Sequence, residues 1–202
     1  MTTLSMQTIS DSLFYAGLTL FFGLHLFSLL MKTLRKGVVD RLGEQTYRRT
    51  FGAIIVLSIL LIFTGYRHMD TEILWITPWW MRYATLALMP IAFIFWIAAD
   101  VDGRIRQRTH HPAILGVLIW ASVHLAINGD QKSAVLFGSF AAYSVFSIIY
   151  LTWRNRNAEP APTRALGKRR YDVLASVAGL GLFAVFLIAA HEFFFGVAPF
   201  NL

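Results

Sequence analysis

Residues 13–31 read LFYAGLTLFFGLHLFSLLM, and Lys32 ends the run. Nineteen consecutive positions carry no Asp, Glu, Lys or Arg. At 1.5 Å per residue a helix over this stretch spans about 28 Å, close to the roughly 30 Å hydrocarbon core of a bilayer. Working outward, five further apolar stretches follow: Phe51–Tyr66, Tyr83–Ala99, Ala113–Ile127, Val135–Trp153 and Val173–His191. The second and fourth are short as bare runs, so flanking residues must extend them to cross. Isolated strands leave their backbone polar groups unsatisfied in lipid, and the alternation of a barrel is absent. The expected fold is therefore all-α, a bundle of six transmembrane helices forming a single membrane domain over residues 1–202. Composition agrees: 56% of the 202 residues are hydrophobic and only 14% charged, which excludes a disordered chain and an ordinary soluble domain. With no cysteine, disulfides, Cys-ligated iron–sulfur clusters, Cys-zinc sites and thiol nucleophiles are excluded as well. Any metal must be held by His, Met, carboxylate or carbonyl oxygen.

The net charge of +7 would suit nucleic acid if the cations clustered, but they fall between the apolar runs. Lys32, Arg35, Lys36, Arg41, Arg48 and Arg49 lie between the first two stretches. Arg104, Arg106 and Arg108 lie between the third and fourth, and Arg154, Arg156, Arg164, Lys168, Arg169 and Arg170 between the fifth and sixth. That places 15 cations on one side and only Arg67, Arg82 and Lys132 on the other. By the positive-inside rule both termini face outward, to the periplasm if the membrane is a bacterial inner membrane, and nucleic acid is not a partner. The first twelve residues have no Lys or Arg to make a signal-peptide n-region, so the first span is expected to remain as structure. Trp75, Trp79 and Trp80 suit an aromatic belt at the outer interface. Glu159-Pro160-Ala161-Pro162 reads as a polar loop, and Gly138-Ser139 with Ala142 and Ala175 with Gly179 as small-residue packing faces.

Ionisable groups inside a span need partners that lipid does not supply, so they point to function. No acidic residue falls in the middle of the six stretches, which weighs against a carboxylate-based pump or hydrolase. Histidine remains. His25 lies in the first span, His124 in the fourth, His191 near the end of the sixth, and His110 and His111 precede Pro112 at the entrance to the fourth. Gly116, Trp120, His124 and Asn128 recur every four residues and share one helical face. A glycine one or two turns from a histidine leaves space for a flat macrocycle with an aromatic at its edge; it also suits close helix packing. Estimated from the rise per residue, His25 with His124 and His124 with His191 both lie at compatible depths for a pair of axial ligands.

The stretch His111-Pro112-Ala113-Ile114-Leu115-Gly116, continued by Trp120, His124, Asn128-Gly129-Asp130 and Phe137-Gly138, resembles the core motif of the NnrU family of bacterial membrane proteins. So do Leu42-Gly43-Glu44 with Tyr47-Arg48, Trp75 with Pro78 and Trp80, and Ala190-His191 with Phe195-Gly196 and Pro199. Family proteins usually have Pro where this chain has Glu192. The resemblance implies association with nitrite and nitric oxide reduction in denitrification. The family is similar to 15-cis-zeta-carotene isomerase, a membrane protein whose haem b is held by histidines and whose reaction is redox-gated. In that relative the histidines of the His-Pro and His motif are also thirteen residues apart, as His111 and His124 are here. Carried over, the resemblance implies haem b with His25 and His124 as axial ligands, His191 or His111 as substitutes, and Gly116 and Trp120 lining the cofactor.

Three functions follow as expectations. The first is a haem-b protein acting in nitrogen-oxide metabolism or in redox-gated cis–trans isomerisation of a polyene, with a small hydrophobic substrate or a redox protein as partner besides the lipid bilayer. The second is a membrane methyltransferase, because His111-Pro112-Ala113-Ile114-Leu115-Gly116 also resembles the Arg-His-Pro-x-Tyr-x-Gly signature of isoprenylcysteine-type enzymes. Here His110 replaces the Arg and Ile114 the Tyr. The third is a non-enzymatic accessory protein for nitrogen-oxide reductases.

Overall fold

The computed structural model describes residues 2–157, 166–195 and 199. The loop Glu159–Pro162, Arg164 and Gly196 lie outside the described residues. The order is α1 (Thr2–Leu30), α2 (Lys32–Leu42), α3 (Glu44–His68), α4 (Met81–Ala98), α5 (Arg104–Thr109), α6 (Pro112–Ile127), α7 (Gln131–Arg156), α8 (Arg169–Val185), a π-helical turn (Phe186–Ala190) and α9 (His191–Phe195). Among the described residues there is no strand, only one antiparallel bridge between Ile73 and Asp130. This is an all-α polytopic membrane architecture.

Among the described residues five helices are long and apolar enough to cross a bilayer: Met6–Leu30, Glu44–His68, Met81–Ala98, Gln131–Arg156 and the segment Arg169–Phe193. The second stretch is extended by its flanks, as crossing requires. The fourth is not: α6 has 16 residues, about 24 Å of rise. Pro112 at its first turn starts it without losing a needed N–H, and Asn128 leaves the helical region at its end (φ −99°, ψ 106°). The first helix begins well before Leu13. Its early hydroxyls bond back along the chain, Ser10 to the Met6 carbonyl at 3.0 Å and Ser12 to the Thr8 carbonyl at 2.7 Å, so the polar start stays helical. Asp11 thereby falls within the first candidate span, near its start rather than its middle. Its buried Oδ1 has no hydrogen-bond partner among the described residues.

The chain groups into two compact units, residues 1–73 with 130–132, and residues 74–129 with 133–202. In the first, α1 and α3 pack antiparallel with backbones in close approach. A Cβ at Gly17 would meet Ile62 N at 2.7 Å, and one at Gly65 would meet Phe14 Cα at 2.7 Å. Between them, α2 ends at Gly43, whose φ of +80° suits a residue without a Cβ. Its N–H donates to the Val39 carbonyl (2.8 Å) and its carbonyl accepts from Tyr47 N–H (3.0 Å), so one glycine closes α2 and opens α3. Glu44 then pairs with Arg48 at 2.6 Å, while Tyr47 is buried with the Arg35 guanidinium 5.4 Å above its ring. These contacts give the Leu42-Gly43-Glu44 and Tyr47-Arg48 stretch a structural role.

In the second unit α4 is packed by α6 on one side and α8 on another. A Cβ at Gly116 would meet the Ala92 carbonyl oxygen at 2.7 Å, and one at Gly179 would meet Ile94 Cα at 2.7 Å. Phe93 fills the α4–α8 seam against Phe183 (5.9 Å) and Phe186 (5.4 Å). The seam explains Ala175 and Gly179 as a packing face. Gly138 behaves differently: nothing lies within 4 Å of a Cβ placed there, and Ala142 is exposed. The buried face of α7 is instead Ser133, Phe137, Ser144, Ser147 and Leu151, which follow helical spacing.

Burial is distributed inside out relative to a soluble protein. Ser58, Ser133, Ser144 and Ser147 are fully buried, whereas Ile188, Val177 and Ile149 are 78%, 65% and 63% exposed. Lipid tails are as apolar as Leu, so small and polar residues pack between membrane helices while large aliphatics face lipid.

Candidate functional site

The site grows from α6. Its stripe places Trp120 and His124 on one face, and their rings lie 5.4 Å apart. His124 donates Nδ1–H to the Trp120 carbonyl oxygen at 2.9 Å. That bond fixes the tautomer, leaving the Nε2 lone pair directed away from its own helix. Gly116, two turns earlier, is buried against Ala92 and Trp96 of α4, so its missing side chain serves close helix packing.

From α7, Phe137 approaches the His124 ring at 4.9 Å and Trp120 at 5.2 Å, and Phe140 meets Trp120 edge-on at 5.3 Å. The result is a half-buried imidazole against the rings of Trp120 and Phe137, with Phe140 closing on Trp120 from behind. Phe137 and Phe140 were missed as site residues. Their spacing marked them as helical neighbours, but nothing local tells which helix they face.

His191 follows an unusual stretch of helix. On an uninterrupted α-helix it would lie about 120° round from Gly179, since twelve residues advance 1200° at 100° each. The π-helical turn Phe186–Ala190 stands immediately before it. Such a turn accommodates one extra residue, which returns His191 to within about 20° of the Gly179 face. The His191 ring lies 5.0 Å from that of Phe195.

His25 belongs to the first unit. It donates Nδ1–H to the Phe21 carbonyl oxygen (2.8 Å), stacks on the Phe21 ring at 4.3 Å and meets the edge of Phe51 at 5.8 Å. The same i to i−4 bond is made by the exposed His68 to the Thr64 carbonyl (2.9 Å). That bond is therefore a general habit of helical histidine here, and the aromatic enclosure is what separates His124 and His25 from His68.

His111 stands at the start of α6 rather than beside His124. Its Nε2 is buried without a hydrogen-bond partner. Burial, then the neighbouring His110 and Arg154 charges, hold its pKa below the ordinary value. His110 itself adopts φ 58°, a conformation rare for a residue with a side chain, to turn α5 into α6.

The donor set suits a haem axial ligand: a neutral imidazole with Nδ1 committed to a backbone carbonyl, Nε2 available, and an apolar aromatic surround. Among the described residues no group of three or more His, Cys, Asp or Glu side chains gathers as a metal cluster. The family model described as NnrU protein matches residues 13–199 of this chain. No curated protein matches it, and no solved structure does.

Proposed function

The chain belongs to the NnrU family, and on that premise we propose that it is a haem-b-binding membrane protein with His124 as an axial ligand. The observation that carries this reading is the His124 bond to the Trp120 carbonyl within the wall of Trp120, Phe137 and Phe140. His191, which follows the π-helical turn in the same unit, is the second ligand we favour, ahead of His111. A bound haem b supplies one-electron redox chemistry. His124 would hold the iron, with the bond to the Trp120 carbonyl keeping its ring in one tautomer and the aromatic surface of Trp120 and Phe137 keeping water away. Such a site serves nitrite and nitric oxide metabolism or the redox-gated isomerisation of a polyene, as the family resemblance implies. A polyene would be oriented by the apolar wall.

The test is a reduced-minus-oxidised visible spectrum of the full chain, purified in mild detergent from haem-replete cells, with a haem assay. A near-stoichiometric b-type signal that disappears in His124→Ala is expected, and His191→Ala should shift or abolish it. His25→Ala tests the first-span histidine in the same way. A folded, monodisperse wild type without haem, or a spectrum unchanged in His124→Ala, overturns the proposal.

A further inference from the structure

A basic hollow lies at the other end of the second unit, where α5 meets α8. Its volume is about 380 Å³, and Arg104, Arg108 and Arg169 line it together with Ile105, Val173 and Val177. A second hollow of about 310 Å³ shares Arg104 and Arg108 and is closed by Gln107 and Leu166. The wall between α5 and α8 is tied by hydrogen bonds to backbone N–H groups. Asp172 Oδ1 accepts the Ile105 N–H at 2.9 Å, Gln107 Oε1 accepts the Gly167 N–H at 2.6 Å, and Lys168 N–H donates to the Asp102 carbonyl at 3.2 Å. Arg104 donates Nε–H to the Gly167 carbonyl at 3.3 Å, which anchors its guanidinium at the rim.

Asp172, the one acid in the lining, commits Oδ1 to a backbone N–H, and its single negative charge leaves the three arginines in excess. Among the described residues Arg104, Arg108 and Arg169 form no ion pair with a carboxylate. Arg104 and Arg108 are one helical turn apart and Arg169 opens α8, so three guanidiniums converge on one hollow. Orientation alone asks for cations near this end of the spans but not for a shared cavity with its acid diverted.

We propose that this hollow binds the phosphate headgroup of an anionic phospholipid, with its acyl chain lying along α8. Guanidinium matches phosphate by paired N–H donors. Basic pockets at the ends of transmembrane helices are suited to anionic headgroups. The amphiphile is favoured over a free anion by the other side of the hollow. Val173 and Val177 are 56% and 65% exposed one turn apart, and Leu180 continues the strip into the span. A free phosphate has no use for that apolar strip, whereas an acyl chain covers it.

The experiment uses the full chain, reconstituted in nanodiscs of phosphatidylcholine with phosphatidylglycerol and then delipidated in detergent, with retained lipid counted by native mass spectrometry. Wild type should retain phosphatidylglycerol in preference to phosphatidylcholine. Arg104→Gln with Arg108→Gln and Arg169→Gln should lose it, at roughly five-fold in affinity per arginine. The triple substitution to Lys, which keeps the charge, should retain most of the lipid. As control, Lys32→Gln with Lys36→Gln and Arg41→Gln removes equal charge from α2 and should leave retention unchanged. Equal loss in the α2 variant would reduce the effect to diffuse charge and overturn the proposal. So would equal retention of phosphatidylcholine, or displacement of phosphatidylglycerol by inorganic phosphate at comparable concentration. Should the triple Gln variant not fold, Arg108→Gln alone reads the same five-fold loss.

Discussion

At the scale of single residues, the histidines of this chain are separated by their surroundings more than by their positions. His111 lies just outside α6; burial first, and then His110 and Arg154 beside it, hold its folded-state pKa below the ordinary 6.5. The folded chain then binds fewer protons than the unfolded one in the window below 6.5. Stability from neutral His111 is complete above that value and is lost as pH falls toward the folded pKa. Thermal unfolding in detergent should therefore decline on acidification below 6.5, and His111→Gln should flatten that decline. An identical decline in the variant would assign it to other groups. The Trp120–His124 pair was legible in the sequence, because a four-residue spacing puts two side chains on one helical face. Phe137 was not, because its approach to His124 depends on how α7 lies against α6.

At the scale of elements, the glycines divide into those that hold helices together and those that do not. A Cβ at Gly65 runs into the Phe14 backbone, whereas one at Gly138 meets nothing. Gly65→Ala should destabilise the α1–α3 pair by about 1–3 kcal/mol, the usual range for overpacking. Gly138→Ala should be neutral or stabilise by up to about 1 kcal/mol through helix propensity. Denaturant or thermal unfolding of the two variants side by side checks both, and equal effects would contradict the packing account. The turns tell a similar story. Gly43 takes φ +80° at no steric cost, but His110 takes φ 58° with a side chain present. The existence of six apolar stretches was readable from hydropathy. The shortness of α6 was visible in its bare run, but the early start of α1 and the π-helical turn before His191 were not, since each depends on local bonding or packing beyond a hydropathy window.

At the scale of the whole molecule, the distribution of cations predicts that both termini lie outside and the basic loops inside. The absence of cysteine makes the natural chain a ready background for labelling. Asn157→Cys, at the end of α7, should react with a membrane-impermeant maleimide only after cells are permeabilised, whereas Thr71→Cys, between α3 and α4, should react in intact cells. The reverse pattern would invert the topology. From sequence alone came the all-α class, the apolar spans, the basic loops and the shortlist of histidines. Backbone groups in lipid must bond within their own helix, so local hydropathy suffices to find a span, and loop charge suffices to orient it. Tertiary structure decided the rest: that Asp11 lies within the first span, that Gly116 packs on α4, that Phe137 closes over His124 and Phe140 over Trp120, and that a π-helical turn precedes His191. It also gathered Arg104, Arg108 and Arg169 into one hollow while Asp172 was turned to a backbone N–H. These are contacts between helices, set by which side chains interdigitate, and most join residues far apart in the chain.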